Sequence, residues 1–269
     1  MPRWALGVEY DGACFAGFQR QPHLDRPTVQ GDLEAALSRI ADAPVHTVCA
    51  GRTDAGVHAT AQVVHFDTDA ERGPDAWIRG GNTLTSPGVG ITWAMPVPGD
   101  FHARFSARWR SYLYVLADGT PVQPLLRDRV AADPRSLDAD RMQAAAEHLL
   151  GEQDFSSFRA AGCQARHARR EVQHVQIHRR GALLGFEIRA NAFLQHMVRN
   201  IVGSLALVGA GERDPAWIGE LLAARDRTVA GPAAPPAGLY LVGVGYPEHP
   251  RLPGPDPSSV LPWRLVTDR

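Results

Sequence analysis

The sequence contains no lysine; all 28 of its Lys+Arg positions are arginine. That excludes Schiff-base chemistry on a lysine and the lysine of a Walker A phosphate loop. An all-guanidinium basic set suits bidentate phosphate contacts and stacking on bases. Its simplest origin is a GC-rich coding bias, which also favours the abundant Ala, Gly and Pro. Cysteine is scarce too. Cys14, Cys49 and Cys163 are odd in number, widely spaced and form no C-x-x-C pair. Neither a disulfide framework nor a thiolate zinc site is expected, and a reducing cytoplasm fits best. No apolar run reaches the length of a membrane span, and "MPRWALGVEY" has no apolar core of a signal peptide. A net charge of -1 speaks against an indiscriminate nucleic-acid binder, although it leaves room for local patches.

What is present reads as α+β. Strands are expected at 4–12, 45–51, 60–68 and 111–116, as a hairpin in "EVQHVQIHRRGALLGFEIRAN", and at "AGLYLVGVGYP". Helices are expected after Thr28, after Asp138, across "AFLQHMVRNIVGSLALVG" with Phe193, Met197, Ile201 and Leu205 on one face, and after an Asp214 cap. Helices alternating with hairpins point to largely antiparallel sheets. The Pro/Gly-rich stretch from Ser86 to Gly99 suggests an internal boundary, and the end of the chain is Pro-rich.

One loop concentrates chemistry. "AGRTDAGVHA" sets Asp54 between Arg52 and His58, with Gly51 and Gly56 alongside, in the connection between two expected strands. An aspartate in a turn is ordinarily structural. Here the glycines allow close approach of a ligand backbone. The cations suit phosphate, and the absence of a metal-ligand cluster or Ser-His partner suits an aspartate acting as nucleophile or base. Arg199 lies on an otherwise apolar helix. It either snorkels at the edge or pairs with a carboxylate and holds it ionised, Asp54 being the candidate. "FHARFSARWRSYLY" interleaves arginines with aromatics, including Arg104, Arg110, Tyr112 and Tyr114, as single-stranded RNA binders do. "RHARRE" (166–171) is a second cationic cluster. His174 and His178, with His167 nearby, are too few to imply a metal site.

Taken together, "GRTDAGVHA", "FHARFSA", "SYLY", "NAFLQHMVRNIVG" and "GLYLVGVGYP" resemble the TruA-type tRNA pseudouridine synthases, in order and over nearly the whole chain. The resemblance implies a pseudouridine synthase fold of two similar halves, here 1–105 and 106–246, followed by a Pro-rich tail at 247–269. It implies conversion of uridine to pseudouridine at positions 38, 39 and 40 of the tRNA anticodon stem-loop, by a homodimer, without cofactor or metal. Asp54 matches the essential aspartate and Tyr112 the tyrosine that stacks on the target base. Arg199 matches the basic partner of the aspartate, and Leu239 an apolar residue beneath the base. Arg52, His58, Arg104 and, with them, Arg110 are expected to contact RNA. Gln195 stands where a second histidine is usual, and Ser111 and Leu113 where basic residues are frequent.

The chemistry suits these parts. The N1–C1′ bond breaks, uracil turns, and a C5–C1′ bond forms, with no net oxidation. A carboxylate can attack C1′, attack C6, or take the 2′ proton; all three need it ionised. A paired uridine must first be flipped out at a cost of a few kcal/mol, and Arg52 or Arg104 can fill the space it leaves. The alternative reading is an inactive RNA-binding or chaperone protein of the same fold.

Overall fold

The computed structural model describes residues 1–21, 25–119, 121–249 and 251–254. In chain order the elements are β1 (Arg3–Tyr10), α1 (Val29–Ala41), β2 (Val48–Cys49), β3 (His58–Asp67), α2 (Gly81–Leu84), β4 (Val89–Val97), β5 (Trp109–Asp118) and β6 (Ala131–Asp133). They continue with α3 (Ala139–Ala146), β7 (Gly151–Asp154), β8 (Arg169–Arg180), β9 (Leu183–Ala190), α4 (Met197–Gly209), α5 (Trp217–Ala224) and β10 (Leu239–Gly245). No helix among the described residues is long and apolar enough to cross a membrane.

Two compact units divide the chain. The first gathers Met1–Arg108 and the described residues from Leu241 onward; the second is Trp109–Tyr240. In the first, strands run in the order β4-β1-β3-β10, with β2 beside β3. β1 pairs antiparallel with both β3 and β4. Helix α1 starts where Thr28 Oγ1 accepts from Gly31 N, and it buries Val29, Leu33, Ala36 and Leu37. Trp77 is wholly buried, edge-on to Phe66 at 5.1 Å. Glu34 is buried as well, with Oε1 accepting from Thr47 N, Thr47 Oγ1 and Gln30 Nε2, so its desolvation is offset.

In the second unit the order is β5-β9-β8-β7, antiparallel throughout, with β6 parallel to β5. The expected hairpin is β8–β9, turning at Gly181 with φ 54°. Its core gathers Tyr114, Phe155, Phe158, Phe186, Leu205 and Met142.

Three expectations change. The Pro/Gly-rich stretch is not a boundary but carries β4, whose Val89, Ile91 and Ala94 face inward. Its Pro96 is tolerated because β4 ends the sheet of its unit, where a missing N–H breaks no ladder. Helix α4 begins at Met197, leaving Phe193 outside, because His196 takes a left-handed φ of 60° that a helix cannot contain. Helix α5 begins at Trp217; the Asp214 carbonyl, not its side chain, accepts from Trp217 N. Of the tail expected at 247–269, residues 250 and 255–269 lie outside the described residues.

Candidate active site

In the first unit the Asp54 loop hangs between β2 and β3, shaped by contacts to β3 and to sequence far upstream. Ala50 N donates to Val63 O at 2.8 Å, and Phe18 N to Thr53 O at 3.0 Å. Tyr10 Oη and Thr53 Oγ1 are 2.8 Å apart. Gln62 is completely buried, and its amide is used on both sides. Nε2 donates to Gly51 O at 2.6 Å and to Tyr10 Oη at 3.3 Å, while Oε1 accepts from Gly51 N and Val63 N. Val57 N closes a turn onto Asp54 O at 3.1 Å, with Gly56 at φ 78° as such a turn requires.

Two more glycines hold the outer side. A Cβ on Gly12 would fall 2.1 Å from Val57 O, and one on Gly17 (φ 103°) 3.0 Å from Thr53 O and 3.2 Å from Ala55 N. Backbone therefore lies directly against backbone on both flanks of Asp54. Sequence reasoning read Gly51 and Gly56 but missed Gly12 and Gly17. Their signal, glycines in "DGACFAGF", is intelligible only once that segment is known to pack on the loop.

Asp54 itself is half-buried, Arg52 is exposed and Thr53 is buried. Cys49, at the loop's entrance, is buried, and burial pushes its thiol up to about 11 against the lowering pull of Arg52 and Arg104. Both guanidinium groups thus act at this end of β2, Arg104 being exposed as well. His58 differs from expectation. It is 3% exposed, with Nδ1 3.1 Å from Gly12 N, from which it accepts, and 3.2 Å from Asp11 Oδ1. The ring anchors the Gly12 segment from inside rather than facing solvent.

The second unit carries the other expected residues. Arg110, Tyr112 and Tyr114 share one face of β5 by the two-residue repeat. Arg110 is buried and donates from Nη1 to Asn191 O at 3.1 Å, so it too is an internal fastening rather than a surface cation. Tyr112 is buried, and Phe193 meets it edge-on at 5.0 Å. Tyr114 donates to Pro235 O at 2.8 Å; burial pushes its hydroxyl far up, against a lowering pull from Arg199. Leu239 is buried and follows Gly238, where a Cβ would come 2.4 Å from Val115 O.

Arg199 is pinned twice to one residue: its Nε donates to Ala234 O at 2.7 Å, and its carbonyl accepts from Ala234 N at 3.0 Å. The rest of "NIVGS" holds the 231–235 segment in place. Asn200 Nδ2 donates to Phe158 O, Ser204 Oγ donates to Asn200 O and accepts from Gly231 N, and a Cβ on Gly203 would lie 1.7 Å from Pro232 O.

The second cationic cluster is partly spent. Arg169 pairs with Glu152 at 2.8 Å, and Arg170 donates to His167 O. His174 and His178 each lie 4.0 Å from Glu187. Among the described residues no group of three or more His, Cys, Asp or Glu is placed to hold a metal ion.

The sequence matches the family described as "tRNA pseudouridine synthase" over residues 7–106 and 145–247. Asp54, Arg104, Arg199 and Leu239 fall inside the matched ranges, and Arg110 and Tyr112 between them. A protein named tRNA pseudouridine synthase A from Xanthomonas euvesicatoria pv. vesicatoria (strain 85-10) is 55% identical over 93% of this chain and 98% of its own length. One of the same name from Stenotrophomonas maltophilia (strain R551-3) is 54% identical over the same shares. A solved Cbf5-Nop10-Gar1 complex matches 89% of this chain and 49% of that chain, at 12% identity and a TM-score of 0.37.

Proposed function

This chain belongs to the tRNA pseudouridine synthase family, and on that premise we propose that Asp54 drives isomerisation of uridine to pseudouridine at positions 38, 39 and 40 of the tRNA anticodon stem-loop. The enzyme is an isomerase acting on tRNA. The observation that carries the residue assignment is the Asp54 loop. A half-buried carboxylate is presented on a turn that buried Gln62, Thr53 and two backbone-packed glycines leave little freedom to move. Rigid presentation of the reacting group is what a displacement at C1′, an addition at C6, or removal of the 2′ proton requires.

The remaining roles follow. Arg199, fastened at Ala234, is the basic residue of the reaction. Tyr112 stacks on the uracil, held upright by Phe193, and Leu239 lies beneath the base. The exposed Arg52 and Arg104 take phosphate and fill the place of the flipped base. His58 and Arg110 support the loop and strand from inside, not the RNA directly. The N1–C1′ bond breaks and a C5–C1′ bond forms, while the proton lost from C5 is matched by one gained at N1, so the atom count is unchanged. The working form is a cytoplasmic homodimer.

The test is conversion of a tRNA transcript, mapped by carbodiimide modification and primer extension. Wild type is expected to convert uridines at 38–40, and Asp54→Ala to convert none while still binding tRNA. Turnover by Asp54→Ala would remove the aspartate from its role. Arg199→Leu is expected to lose turnover much more than binding; equal losses would make Arg199 a phosphate contact instead.

A further inference from the structure

We propose that Phe105 is a stacking platform for an unpaired nucleobase of the bound tRNA, and so a substrate-positioning residue. Phe105 is 72% exposed, the only aromatic among the exposed large hydrophobic side chains of the described residues. An exposed phenylalanine on a loose loop would carry no message. This one sits on a turn fastened at almost every residue.

Phe101 is fully buried, against Tyr246 at 5.2 Å and His249 at 5.0 Å. Ala103, also fully buried, donates to His65 Nδ1 at 3.1 Å and accepts from Tyr246 Oη at 2.6 Å. Ser106 N donates to His102 O, and His102 N to Ser106 Oγ. His102 Nδ1 accepts from both Arg104 N and Phe105 N, each at 3.2 Å. The apex, Arg104 and Phe105, is thereby held out from the surface.

The apex brings two rings and a guanidinium close together. The imidazole of His102 lies 4.3 Å from the Phe105 ring at an interplanar angle of 32°, and the Arg104 guanidinium lies over the same ring at 5.6 Å. Planar cation, aromatic ring and imidazole together are the parts with which proteins hold splayed bases, and an adjacent arginine serves the phosphate. The location fits. Arg104, one residue away, shares with Arg52 its electrostatic influence on Cys49, at the entrance to the Asp54 loop. The occupant is thus a nucleobase near the target uridine, an inference that rests on tRNA being the substrate.

Wild type, Phe105→Ala and Phe105→Tyr should be compared on an anticodon stem-loop carrying 2-aminopurine at single loop positions. Expected are quenching in wild type at one position, loss of it in Phe105→Ala, and recovery in Phe105→Tyr. Alongside, KM is expected to rise about tenfold in Phe105→Ala with kcat nearly unchanged. An unaltered thermal midpoint would show that the side chain does no structural work. Quenching and KM equal to wild type in Phe105→Ala would overturn the proposal. So would a shift of Phe105→Ala to a smaller species on sizing with unchanged stem-loop quenching, which would make the ring a contact between copies. If wild type left every uridine unconverted, the enzymatic reading would fail, while the fluorescence signal would still report stacking.

Discussion

His65 and His102 are both used as hydrogen-bond acceptors at Nδ1, so the folded chain needs each ring unprotonated there. Burial, with Arg3 and His102 adding to it, lowers the pKa of His65 from 6.5 to about 4. His102 is lowered in the same direction, first by burial and then by Arg3. The sign follows from proton counting. Between pH 6.5 and 4 the unfolded chain takes up a proton at His65 that the folded chain does not. Stability is therefore complete above the unfolded pKa and declines as pH falls, by at most about 1.4 kcal/mol per pH unit for one such group. Urea unfolding from pH 7 to pH 5 checks this. His65→Asn, which keeps an acceptor but no titrating ring, is expected to lose less over that range. A variant curve parallel to wild type would assign the loss elsewhere.

At the scale of elements, α4 shows how local propensity is overruled by packing. Glycine inside a helix is ordinarily improved by alanine, by up to about 1 kcal/mol. Gly203 should show the opposite sign, since its Cβ would stand 1.7 Å from Pro232 O. Gly203→Ala is expected to destabilise the protein by about 1–3 kcal/mol in urea unfolding, the range for an overpacked core. It should also reduce kcat, because the displaced 231–235 segment carries the Ala234 carbonyl that holds Arg199. Stabilisation with full activity would mean that this segment does not set the arginine.

The same helix marks the limits of reading the sequence. Its apolar repeat from Met197 onward was plain, and so was the anomaly of Arg199 within it. Its start was not, because the break at His196 is a backbone conformation that no side-chain pattern announces. The Asp54 loop stood out as a candidate because a carboxylate, an arginine, a histidine and two glycines sit within a few residues. Gly12, Gly17 and Gln62 did not, since each works through a partner distant in sequence. Phe105 was hidden for a different reason: its segment reads as an RNA binder as a whole, and only the fold shows which of its aromatics is exposed.

For the molecule as a whole, a net charge of -1 means that attraction to tRNA must come from local arginines. Binding is expected to weaken steeply with salt, log K falling against log salt with a slope of about -0.7 to -0.9 for each phosphate neutralised. Arg52→Ala should make that slope shallower by about one unit, measured by filter binding across a salt series. An unchanged slope would remove Arg52 from the phosphate contacts.

The clamp on the Asp54 loop joins stretches about 40 residues apart in the chain, so its shape exists only after a long loop has closed. Helices and hairpins can form before that moment, but Asp54 has no fixed place until residues 12–17 have docked. Chemical competence is thus a late acquisition in folding. It is also an early loss: a local opening of that one short segment would leave most of the protein native and its catalyst switched off.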